Sequence, residues 1–217
     1  MCHLAHRYMK YNIVLRGLAD LNRNGKTGRM ARMFDELCEG NKYANTLHAL
    51  SSSIVKLSKL TKCTRVYRGL SGGVLPREFW ELDSHGAQGG VEFAFLSCST
   101  DMAVALSYAD SSATGTAGFV LELQQGVISR GANLSWLSQY PGEAEVCFPP
   151  LTALEVRSVR VEDAILVIQM SPTVNQNTET LERVISRMRS SHVQLVDILR
   201  EELRSHGGAR IERLERA

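Results

Sequence analysis

The sequence predicts an α+β fold, on three observations. Helical periodicity fills the first 64 residues, short apolar runs broken by Gly, Pro and Ser follow from Thr64 to about Met170, and a long amphipathic segment comes after residue 172. Helices first and strands afterwards, without strict alternation, favour α+β over a repeated βαβ pattern. The expected organisation is an N-terminal helical subdomain over 1–64, a β-rich core over 65–171, and a linker with a C-terminal helix over 172–217.

In chain order, two helices are expected at Leu4–Leu18 and Met30–Leu37, separated by the polar stretch Asp20-Leu21-Asn22-Arg23-Asn24-Gly25. A third follows over about residues 43–60, where Tyr43, Leu47, Leu50, Ile54 and Leu57 recur at steps of four and three and mark one apolar face, read as a core wall. Candidate strands are Arg65–Arg68, Glu92–Ser97, Phe119–Leu123, Glu143–Phe148, Leu154–Val161 and Ala164–Met170. A short helix, Met102–Ala109, and a glycine-, serine- and threonine-rich loop over 110–118 separate the second strand from the third. Ser171 to Asn177 reads as a linker or turn. Beyond it Leu181, Ile185, Met188, His192, Leu195 and Leu199 form the narrow seam of a helix over 178–206, suited to packing back on the domain or to self-association.

Composition excludes several classes. With 25 Lys+Arg against 23 Asp+Glu in 217 residues, the formal charge is +2, which gives a phosphate-tracking nucleic-acid binder no concentrated basic face. No apolar run approaches the roughly 20 residues that span a bilayer, and the first residues lack a secretory apolar core, so the expectation is a cytoplasmic chain without membrane attachment, delivery elsewhere as a toxin or effector remaining open. Five scattered cysteines, Cys2, Cys38, Cys63, Cys98 and Cys147, offer neither a disulfide framework nor clustered metal ligands, and no metal is expected. Asp20-x-Asn22-x-Asn24-Gly25 copies the opening of a calcium loop, but Ala31 stands where the closing carboxylate belongs, and a capping turn between helices explains the same residues.

Three motifs carry chemistry. In Gly142-Glu143-Ala144-Glu145-Val146-Cys147-Phe148, a continuous strand would put both carboxylates on one face with α-carbons roughly 6.5–7 Å apart. Such a pair repels itself and asks for a cation or a developing positive charge. In Phe95-Leu96-Ser97-Cys98-Ser99-Thr100-Asp101, an apolar strand ends in hydroxyls, one of which, or Asp101, suits the cap of the helix opening at Met102. In Tyr67-Arg68-Gly69, a guanidinium suited to a pyrophosphate precedes a residue that admits close approach.

In this order the three motifs resemble the arginine–serine–glutamate class of mono-ADP-ribosyltransferases, the arginine-specific enzymes that include cholera-toxin-like and clostridial binary toxins and vertebrate ectoenzymes. The resemblance covers Thr64 to Met170 and implies an ADP-ribosyltransferase-like mixed sheet with a preceding helical subdomain. It further implies that NAD is the co-substrate and that the partner is a protein bearing an acceptor arginine. By position, Arg68 would hold the NAD phosphates, with Gly69 beside it. Ser97 would orient Glu145, the catalytic glutamate facing the ribose, and Glu143 would polarise the acceptor guanidinium. Ser99 falls in the same cofactor-facing motif, Tyr108 is a candidate for an aromatic that packs on nicotinamide, its place in the preceding helix equally suiting a core role, and the segment Ser135–Tyr140 matches an acceptor-recognition loop in which Tyr140 would stack on the incoming side chain. One departure is Cys98 in the middle of the Ser-x-Ser motif, where strand alternation turns it away from Ser97 and Ser99. An NAD glycohydrolase on the same fold, and a non-enzymatic module working through the C-terminal helix, stand as alternatives.

Overall fold

Val14 is fully buried among Tyr11, Ile13, Leu15 and Leu18, and this apolar stripe makes the first helix, α1 (His3–Asn24), an inner wall. The computed structural model describes residues 3–25, 28–38, 41–71, 75–83, 86–110, 118–162, 165–174, 186, 189–196 and 200. The chain turns at Gly25 (φ 62°) into α2 (Arg29–Cys38). Asp20 Oδ2 accepts the backbone N–H groups of Met30 and Ala31 at 2.9 and 3.2 Å, satisfying donors that the first turn of α2 leaves unpaired. The polar stretch expected to separate the helices is thus mostly helix: α1 continues through it to Asn24, and Asp20 caps α2 from within the preceding helix instead of from a turn between them.

Leu47 and Ile54 of α3 (Ala44–Ser58) join Val14, Phe34 and Cys38 in a cluster that closes on Phe95 and on Ala132 and Cys147 of the sheet. The helical segments thus cover one face of the β region. Asn12 Oδ1 accepts the N–H of Phe95 at 3.1 Å and ties α1 to it.

The strands are β1 (Arg65–Leu70), β2 (Gly89–Glu92), β3 (Leu96–Ser99), β4 (Phe119–Gln124), β5 (Ala132–Asn133), β6 (Glu145–Phe148), β7 (Thr152–Glu162) and β8 (Ile165–Thr173). They form an eight-stranded sheet in the order β2-β7-β8-β4-β1-β3-β6-β5, in which β4 and β8 run parallel and every other pairing is antiparallel. Val66, Leu96, Leu123, Val146, Phe148, Ile168 and Met170 are its most deeply buried apolar residues on the second face.

Several boundaries differ from the sequence reading: α1 extends past Leu18 to Asn24, β1 continues to Leu70, β7 is longer at both ends, and the short β5 was not expected. The strand expected over Glu92–Ser97 is two strands, because Glu92 Oε1 accepts the N–H of Ala94 while the carboxylate takes both arms of Arg16, at 3.2 and 3.0 Å, and the chain turns there. The strand expected from Glu143 starts at Glu145, after a 3-10 turn over Pro141–Glu143. Ser171, Pro172 and Thr173, read as linker, complete β8: its ladder to β4 ends at Met170, so Pro172 pairs only with Leu154 of β7, in an edge position that tolerates the missing N–H.

A fourth helix, α4 (Met102–Ala109), lies against β1 and β4. Its backbone approaches so closely that a Cβ added at Gly69 would sit 1.7 Å from Ala105 O, and one at Gly118 would sit 1.8 Å from Ala109 O. Residues 1–175 form one compact unit and 176–217 another, in which 189–196 are helical. Of the expected C-terminal seam, His192 and Leu195 are described, and Leu181, Ile185, Met188 and Leu199 lie outside the described residues, as does most of the loop over 110–118. No described helix is long and apolar enough to cross a membrane.

Because the obstacle at Gly69 is backbone, Gly69→Ala must push α4 off the sheet. Overpacking of this kind typically costs about 1–3 kcal/mol, and a urea unfolding midpoint lowered accordingly is the expected result.

Candidate active site

The register between β3 and β6 sets the site. Ser97 lies opposite Cys147 and Ser99 opposite Glu145, so the alternation of strands sends Phe95, Ser97, Ser99, Glu145 and Cys147 toward one face and Leu96, Cys98, Val146 and Phe148 toward the other. The burial clusters agree: Leu96, Cys98, Val146 and Phe148 share the second-face core, whereas Phe95 and Cys147 pack under the helices. Cys98 therefore turns away from both serines, as alternation requires. On the helical face Ser97 Oγ donates to Glu145 Oε1 at 2.7 Å. Behind it, Arg68 of β1 donates from Nη1 to the Ser97 carbonyl at 2.8 Å.

Glu143 reaches the same cavity by another route. Ala144, between the two glutamates, is left-handed (φ 46°), an uncommon state for a residue with a Cβ. That kink takes Glu143 out of the strand, so period-two alternation is not what brings the carboxylates together. The turn is held from both sides: the Ala144 N–H donates to Pro141 O at 3.2 Å, Thr100 N–H donates to Ala144 O at 3.2 Å, and Leu134 N–H donates to Glu145 O at 2.8 Å. Ser99 Oγ accepts the N–H of Asp101 at 2.9 Å, and Asp101 Oδ1 caps α4 by accepting the N–H of Ala103 at 2.8 Å. Ser99 is buried and serves this turn.

One cavity of about 550 Å³ gathers these groups. Arg68, Gly69, Ser97, Ser99, Tyr108, Tyr140, Glu143 and Glu145 all line it. The room at Gly69 is taken by α4, so a helix and not a ligand makes the close approach there. Tyr108 bonds to Glu143: its hydroxyl donates to Glu143 Oε1 at 2.8 Å. Tyr11, Leu50, Ile54 and Phe95 are among its apolar lining. The sequence reading treated Leu50 and Ile54 as core wall alone, yet Leu50 is 38% exposed, because the helix face that covers the sheet also roofs the cavity. Among the described residues no group of His, Cys, Asp and Glu has metal-holding geometry.

A family model described as NAD:arginine ADP-ribosyltransferase matches residues 11–178. No curated protein matches the sequence. Among solved structures, the chain is similar to the ADP-ribosyltransferase HopU1 of Pseudomonas syringae pv. tomato, at 23% identity and TM-score 0.48 over 61% of this chain and 54% of that one. It is similar to the Vis toxin of Vibrio splendidus at 21% identity and TM-score 0.48, over 79% of this chain and 69% of that one. It is similar to the eucaryotic mono-ADP-ribosyltransferase ART2.2 at 17% identity and TM-score 0.45, over 79% of this chain and 69% of that one. The chain thus spans about half the length of the Pseudomonas protein.

Two thiols close to the site are inert by burial. Desolvation pushes Cys98 up to about 12, with the Arg68 charge pulling it down and the Glu145 charge pushing it up, and desolvation pushes Cys147 higher still. A folded-state value raised above the unfolded one means the contribution to stability is complete below about 9 and is lost as pH rises toward the folded value. Native alkylation at pH 8 followed by residue-resolved mass spectrometry is expected to label exposed Cys63 and to leave Cys38, Cys98 and Cys147 unmodified until urea is added.

Proposed function

Because the chain belongs to the NAD:arginine ADP-ribosyltransferase family, we propose that it transfers ADP-ribose from NAD to an arginine side chain of a protein acceptor and releases nicotinamide. The observation that carries this reading is the 2.7 Å hydrogen bond from Ser97 to Glu145, inside a cavity that Arg68 and Glu143 also line.

The residues present fit a dinucleotide. Arg68 supplies a fixed cation for the phosphates, the apolar lining that includes Tyr11, Leu50, Ile54 and Phe95 suits an aromatic ring, and a cavity of about 550 Å³ lies within the usual range for ligand pockets. NAD contributes an activated glycosidic bond, whose electron pair leaves with nicotinamide and whose ribose gains positive charge as it does so. Glu145 accepts a hydrogen bond from the ribose 2′-hydroxyl and stabilises that charge, which exists only in the transition state. Ser97 holds one oxygen of Glu145 so that no reorientation is needed at that moment. Arginine is protonated near neutral pH and a poor nucleophile. Glu143 draws the guanidinium in and takes its proton as the new C–N bond forms.

Water competes with the acceptor. Tyr108 and Tyr140, at the cavity mouth, are 56% and 52% exposed, so the site is wet when no protein covers it. NAD hydrolysis is therefore expected alongside transfer, with Glu145 serving both.

Labelled NAD with an arginine-rich acceptor tests the roles. Glu145→Ala is expected to lower nicotinamide release and label transfer together by at least about 10³-fold. Ser97→Ala is expected to cost about 10- to 100-fold in both, the worth of one hydrogen bond to a charged group. Glu143→Gln is expected to lose transfer and keep part of the hydrolysis, and equal loss of the two would count against its acceptor role.

A further inference from the structure

Glu143 is held from outside its own segment. The Tyr108 hydroxyl, in the last turn of α4, reaches Glu143 Oε1 at 2.8 Å. Burial does not demand this bond, because a side chain 56% exposed can give its hydroxyl to water at no cost. Its effect falls on the carboxylate. A free glutamate on the surface samples several rotamers, and binding a partner must freeze them. With Oε1 taken, Glu143 keeps Oε2 and a remaining lone pair of Oε1 for the two-pronged donor edge of a guanidinium.

We propose that Tyr108 is a positioning residue for the acceptor: its hydroxyl fixes Glu143 in the conformation that meets the incoming guanidinium, so α4 contributes to acceptor selection instead of nicotinamide packing. The proposal rests on the reading of Glu143 as the acceptor-facing carboxylate. Two further observations support it. The hydrogen bond to Glu143 is the largest influence raising the Tyr108 phenol above its ordinary value, with desolvation and the charges of Glu143, Tyr140 and Glu145 adding to it, so the hydroxyl stays a donor. The other end of α4 is clamped as well, by the Asp101 cap and by the Thr100 N–H bond to Ala144 O, so helix and glutamate turn are anchored to each other at both ends.

Tyr108→Phe removes the hydroxyl and keeps the ring. With NAD and agmatine as a small guanidinium acceptor, the ratio of transfer to hydrolysis is expected to fall about 2- to 10-fold, the worth of ordering one side chain in advance, and the change is expected in the KM for agmatine and not for NAD. An unchanged ratio, or a shift confined to the KM for NAD, overturns the proposal. A second measurement needs no turnover. In protein labelled with ¹³C at tyrosine Cζ, with Tyr108 assigned by its loss in Tyr108→Phe, the Tyr108 titration is expected above the ordinary tyrosine range and to move down in Glu143→Ala. A titration indifferent to Glu143 overturns the proposal alone. A wild-type protein that neither cleaves NAD nor labels agmatine overturns the underlying reading, and the proposal with it.

Discussion

The pairing of β3 with β6 is the constraint on which both the core and the cavity depend. Side chains alternate along a strand, so a slip of one residue exchanges the faces of everything on it. Were β6 slipped by one, Glu145 would enter the apolar core beside Leu96, and Val146 and Phe148 would turn out toward the cavity face. Burying a carboxylate among such residues without partners costs far more than the strand could recover, so the same physics that builds the core forces Glu145 toward Ser97. The Ser97–Glu145 pair is in this sense a by-product of packing: Phe148 and Leu96, almost completely buried, fix the register that the two residues use.

The second carboxylate obeys a different rule. Ala144 interrupts the alternation with a left-handed residue, and Glu143 enters the cavity from a turn. A turn can be displaced more easily than a strand, and the fold answers with bonds to it from α4 and its leading turn: Thr100 to Ala144 O, Tyr108 to Glu143. A helix seated on the sheet through Gly69 and Gly118 thereby steadies the part of the site that the sheet does not hold. The division suits the proposed chemistry, in which bond cleavage needs one rigid carboxylate and acceptor choice depends on the other.

Much of this was legible in the sequence, for identifiable reasons. The bounds of α4, Met102–Ala109, follow from local signals, an Asp cap at one end and a break at the other. Cys98 could be turned away from the serines by alternation alone, and a capping role for the Asp20 stretch was open to view, although the continuation of α1 through it to Asn24 was not. What stayed hidden depended on partners remote in sequence. The corner at Glu92 is made with Arg16, 76 residues away, and no local pattern announces it. Leu50 and Ile54 carry a helical period whether they face a core or roof a cavity, and only the sheet beneath decides. Pro172 looked like the start of a linker because the edge position that accommodates it exists only once β8 is set beside β7. The left-handed Ala144 had no signal at all, since alanine is not a residue that turn rules assign there.

The most direct test of the central claim is a crystal structure of the protein with a non-hydrolysable NAD analogue. The account requires the nicotinamide-side ribose to lie with its 2′-hydroxyl within about 2.6–3.2 Å of the Glu145 carboxylate, and the Ser97 bond to that carboxylate to be intact. It also requires the phosphates to lie against Arg68. An analogue bound outside this cavity, or bound within it with its ribose turned away from Glu145, would contradict the account.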